Sequence, residues 1–135
     1  KYIVFSIINF IIALVLVCFY FVLSNDYLLF ISGFIFLLGF LTSIITAHLY
    51  KIIPFLVWFH RFSSLVGKQK VPMLADMVPV KSSDFGFAFY SLGFILSLIA
   101  FIFSSDILFK SAVSFLFVGT SFIVKDVFYI INFKG

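Results

Sequence analysis

Two histidines, His48 and His60, are the side chains in this sequence best suited to ligate a metal. Twelve residues separate them; along one continuous helix that is about 18 Å, so they share an ion only if the chain folds back at Pro54. A protein-only metal site takes three or four ligands, and the sequence does not supply them. His48 also lies beside Tyr50 and Lys51 at the end of an apolar run, where a plain polar anchor is the competing role. The single cysteine, Cys18, sits in the middle of another apolar run; it excludes an internal disulfide and fits packing better than reactivity. All five acidic residues are aspartates. Four of them fall at helix ends or in a loop, and Asp126 stands beside Lys125, where the two read as an interfacial pair. Ion-coupled transport usually leaves an ionisable group deep in a span. Here the apolar runs carry none, and no filter-like glycine sequence, phosphate loop or dinucleotide fingerprint appears.

The elements that hold these residues are set by composition. The 135 residues are 64% hydrophobic, 22% aromatic and only 10% charged. An ordinary soluble domain is about 25% charged and 45–50% apolar, so lipid must solvate most of this chain. The net charge of +4 does not point to nucleic acid, because the basic residues punctuate apolar runs rather than forming a polar patch. The 23 Phe, abundant Ile and Lys-dominated basic set suggest an AT-rich bacterial genome and hence a bacterial inner membrane.

A spanning helix needs about 20 apolar residues. Tyr2–Leu23, Tyr27–Tyr50 and Phe85–Ser105 are uncharged across 22, 24 and 21 positions. A fourth span over 107–125 requires Lys110 and Lys125 to snorkel. The expected fold is therefore an all-α integral membrane bundle of four helices in two antiparallel hairpins, one domain over 1–135 with a loop at 51–84. The links Ser24-Asn25-Asp26 and Ser104-Ser105-Asp106 are short enough for hairpins and supply N-cap residues, as do Ser82, Ser83 and Asp84 before span three. Lys51, Arg61, Lys68, Lys70 and Lys81 fill the long loop, with Lys1, Lys125 and Lys134 on the same side, so both termini are expected in the cytoplasm. The chain opens on Lys1 rather than Met, which fits a piece of a longer protein.

The hairpins echo each other at an offset of 80: Phe21-Val22-Leu23-Ser24-Asn25-Asp26 aligns with Phe101-Ile102-Phe103-Ser104-Ser105-Asp106, and Gly39 falls on Gly119. Duplication explains this, as does chance in a sequence rich in Phe, Ile, Leu and Ser. Helices in lipid pack where small residues let backbones approach. Gly39, Ser43 and Ala47 form such a stripe on span two, Gly93 and Ser97 on span three, and Ser6, Asn9 and Ala13 share a face of span one, from which Asn9 can bond across to a neighbour.

The segment after span two is the most informative. Continued as one helix from Tyr27 to Phe62, it would measure about 54 Å, longer than the roughly 40–45 Å of a whole bilayer. Pro54 removes a hydrogen bond to the Tyr50 carbonyl, so a bend is expected there. Ile52, Pro54, Phe55, Trp58 and Phe59 leave no clean polar face, so the segment is expected to pack against a partner: other membrane subunits, or missing helices of the same protein.

The stretch HLYKIIPFLVWFHRFSSLVGKQKVP, about 25 residues from His48, resembles the C-terminal region of bacterial membrane proteins related to haem-copper oxidase catalytic subunits; the membrane haem proteins linked to nitrogen-oxide responses are neighbours of that group. The resemblance implies a longer polytopic protein with haem-ligating histidines on earlier helices, and makes His48 and His60 candidate haem ligands. The two histidines depart from the multi-histidine clusters of such centres. Together these features point to a non-catalytic membrane module, part or accessory subunit of a larger respiratory or redox protein and without a cofactor of its own. The alternatives are a haem-binding electron-transfer protein and a small oligomeric transporter or channel.

Overall fold

The computed structural model describes residues 1–133. The described residues form four helices long and apolar enough to cross a membrane: α1 (Tyr2–Leu23), α2 (Asp26–Leu65), α3 (Val80–Phe103) and α4 (Asp106–Ile131). A short 3-10 turn, Leu74–Met77, lies in the link before α3, and no strand occurs among the described residues. The all-helical class and the number of long apolar helices agree with the expectation from sequence. Lys134, assigned above to the basic side, lies outside the described residues.

Three boundaries differ from the apolar-run limits by about five residues or more. Charge ends an apolar run but does not end a helix. Thus α2 continues past Lys51 until its last 3-10 turn, Ser63–Leu65, and the chain turns at Gly67 with φ +84°. The helical assignment runs unbroken through Pro54. A departure from regular α geometry lies upstream, in a π-helical stretch at Ile35–Leu41, where the Thr42 N–H and hydroxyl both donate to the Leu37 carbonyl. Helix α3 starts at Val80 on a Pro79 N-cap, so Ser82, Ser83 and Asp84 fall inside its first turns rather than capping it. Proline has a φ already suited to helix entry, and the Ser83 N–H donates to the Pro79 carbonyl at 3.0 Å. Helix α4 extends past Lys125 to Ile131, with Lys110 and Lys125 both exposed.

The two short links share one conformation. Ser24 ends α1 in the left-handed region (φ 50°, ψ 39°) and Ser104 ends α3 there (φ 48°, ψ 41°). The next residue is extended and caps the following helix. Asn25 accepts from the Tyr27 N–H at 3.0 Å, and Ser105 accepts from the Leu108 N–H at 3.5 Å. Each cap satisfies a backbone donor that the helix leaves open, worth about 1 kcal/mol.

The chain forms two compact units, 1–47 and 48–135. In the first, the Ser32 hydroxyl donates to the Ala13 carbonyl at 2.9 Å, and Gly39 lies so close to Asn9 that an added Cβ would sit 2.7 Å from the Asn9 Cγ. The Asn9 amide donates to Phe5 of its own helix at 2.8 Å rather than across the contact. Phe10 covers this seam through ring contacts with Phe36 and Phe40. In the second unit, α3 and α4 pack in opposite order along the chain, Phe101 beside Phe109 and Phe85 beside Phe122. Gly93 and Gly119 set the approach: a Cβ on Gly93 would lie 2.7 Å from the Leu116 N, and one on Gly119 2.6 Å from the Tyr90 N. Phe89 stacks between Phe115 and Phe122.

Burial repeats at the offset of 80. Ser6 and Gly86, Ala13 and Gly93, Ser32 and Ala112, Gly39 and Gly119, Ser43 and Ile123, and Thr46 and Asp126 are buried in both members. Two like turns place the helices that leave them in like register, so the same positions face inward.

Candidate functional site

Most polar side chains in this fold bond to their own helix one turn back, as Thr46 does to Thr42 and Ser97 to Gly93. Such bonds satisfy the hydroxyl locally and leave no group to act on a ligand. Asp126 is different. It belongs to the inward stripe of α4, with Ala112, Gly119, Ile123 and Ile130, and its side chain is 0% exposed. Its Oδ2 accepts a 2.7 Å hydrogen bond from the Tyr50 hydroxyl of α2. Among the described residues its Oδ1 has no hydrogen-bond partner.

The expected Lys125–Asp126 pair is replaced by a different arrangement. Adjacent residues on a helix point about 100° apart; Asp126 turns inward while the exposed Lys125 places its ammonium 5.4 Å from the centre of the Phe122 ring. The sequence signal for this was the inward period of α4 itself, which passes through Asp126 and skips Lys125.

A second unsatisfied group lies at the same level. On α3 the inward residues Gly86, Tyr90, Gly93 and Ser97 continue one turn back to Ser82. The seam pairs Tyr90 with Gly119 and Phe85 with Phe122, so the next turn along brings Ser82 opposite Asp126. The Ser82 Oγ is buried and, among the described residues, has no hydrogen-bond partner.

The remaining candidates line the outer half of α2. His48 is exposed on that helix. His60 is exposed as well, its Nδ1 lying 2.9 Å from the Leu56 carbonyl and its ring edge-on to Phe59. Both sit on one unbroken helix, so no fold-back at Pro54 brings them together. Among the described residues no group of three His, Cys, Asp or Glu is placed to hold a metal ion. Pro54 is buried, and Trp58 is half-buried with its indole N–H donating to the Pro72 carbonyl at 2.8 Å. That bond forms one wall of an apolar groove of about 370 Å³ shared with Phe55, Val71 and Met73. Arg61 reaches the Phe133 carbonyl at the end of α4. Ile52, Phe55 and Phe59 remain about half exposed. Of the small-residue stripe, Gly39, Ser43 and Ala47 are buried, and the Ser43 hydroxyl has no hydrogen-bond partner among the described residues.

Compared with known proteins, the chain matches no family model, no curated protein and no solved structure.

Proposed function

We propose that this chain is a membrane-embedded four-helix module, two antiparallel hairpins in the bilayer, whose role is to assemble with further transmembrane helices as part or accessory subunit of a larger respiratory or redox protein. Its place is the bacterial inner membrane, with both termini and the 51–84 link on the cytoplasmic side.

The observation that carries the assembly role is the length and surface of α2. Its 40 residues have a contour of about 60 Å, against roughly 40–45 Å for a bilayer with its headgroups. The turns beyond Lys51 therefore reach the interface or leave it while still presenting Ile52, Phe55, Leu56 and Phe59, each about half exposed. Apolar surface of that kind outside lipid requires a protein cover. Embedding is supported by the low burial of all four helices, since between 17% and 33% of the most apolar window of each is covered by the chain itself. The redox context rests on the resemblance of the His48–Pro72 stretch alone.

A photo-crosslinking residue in place of Phe55 or Phe59, introduced in native membranes, is the test. Adducts with a second membrane polypeptide are the expected result. Lipid adducts alone, with a native mass equal to one copy of this chain, would sink the proposal.

A further inference from the structure

We infer that Asp126, with Tyr50 and Ser82, forms a binding position for one sodium ion within the second unit. A carboxyl group with no water around it is costly unless its oxygens are hydrogen-bonded, protonated or bound to a cation. Tyr50 serves Oδ2 only. The other oxygen, Oδ1, is buried and without a hydrogen-bond partner among the described residues, and so is the Ser82 Oγ that the α3–α4 register brings opposite it. Carboxylate, phenol and serine hydroxyl oxygens form a hard donor set. It suits a hard cation and does not suit softer metals.

The contrast with the first unit sharpens the point. Thr46 is the counterpart of Asp126 at the offset of 80, is equally buried, and satisfies its hydroxyl on the Thr42 carbonyl. Only the second unit carries a charge-bearing group at this position, so the fold itself does not demand one. Within two positions of Tyr50, Ser82 or Asp126 in sequence, the charged and titratable residues are His48 and Lys51 on α2, Lys81 and Asp84 on α3, and Lys125 on α4; all are exposed, and Lys125 lies over Phe122. Helix α4 rises about 30 Å from Asp106 to Asp126, which puts the position at one edge of the hydrocarbon layer. An ion can reach it there without crossing the membrane.

The inference rests on the membrane-embedded reading, but its test does not. The full chain, purified in detergent, is melted in sodium chloride and in choline chloride of equal ionic strength. A sodium site gives a Tm several degrees higher in sodium; the difference disappears in Asp126→Asn and shrinks in Ser82→Ala. If Asp126→Asn does not fold, Tyr50→Phe and Ser82→Ala, which keep the carboxylate, must weaken the sodium effect severalfold. Absence of a sodium effect in the wild-type chain overturns the site, as does an effect that none of the variants alters. Neither result bears on whether the chain crosses a membrane, which extraction from native membranes decides separately.

Discussion

At the scale of single residues, glycine and aspartate matter most in this fold, for opposite reasons. Gly119 acts by lacking a side chain. Its hypothetical Cβ meets the backbone of Tyr90 at 2.6 Å, so the helices would have to part to admit it. Gly119→Ala should therefore cost about 1–3 kcal/mol, as overpacking does, in a reversible unfolding titration in mixed micelles. Gly33→Ala is the control. Nothing lies within 4 Å of its Cβ position, and removing a mid-helix glycine should stabilise the chain by up to about 1 kcal/mol in the same assay. Equal losses for both variants would show that these close approaches do not hold the pair together. For the histidines, the module reading predicts that the chain, purified without partners from haem-replete cells, has no Soret band. A band that His48→Ala abolishes would establish the haem-ligand role instead. The His60 ring, with Nδ1 against the Leu56 carbonyl, keeps Nε2 as its one nitrogen for a ligand and is the second position to mutate.

At the scale of elements, much was legible. Uninterrupted apolar runs gave the bounds of α1, and Asn25 and Ser105 cap the helices that their positions suggested. Legibility failed where the physical rule for leaving lipid differs from the rule for ending a helix. Lys51 marks the first and not the second, so α2 runs on to Leu65. The single missing N–H at Pro54 likewise leaves the helix unbroken. The burial of Asp126 was obscured by its neighbour: Lys125 drew the carboxylate into a surface pair on paper, whereas the helical period turns the two apart. The links permit a prediction of their own. Ser24 and Ser104 hold left-handed backbone angles that cost an L-residue roughly 1 kcal/mol. Ser104→Gly should therefore raise stability by up to about 1 kcal/mol, while Ser104→Val lowers it; the two are read against each other in the same unfolding titration.

At the scale of the whole molecule, the proposed orientation rests on the basic residues. Lys51, Arg61, Lys68, Lys70 and Lys81 all fall in the outer part of α2, the link or the first turn of α3. With Cys18 replaced by serine, single cysteines at Ser24, Gln69 and Ser104 should separate into two classes toward a membrane-impermeant thiol reagent. Gln69→Cys is expected to react only after the inner face is opened, and Ser24→Cys and Ser104→Cys in intact cells. Any other grouping rejects the proposed orientation.

The recurrence of one turn at Ser24 and Ser104 bears on how such a chain can arise. A segment encoding a single helix–turn–helix, copied in tandem, yields two correctly registered pairs in one genetic event, because the turn carries its register with it. Afterwards the copies need not remain alike. On such an origin, Thr46 with its local bond and Asp126 with its carboxyl hold equivalent positions, and drift within one gene is enough to turn a packing position into a chemical one.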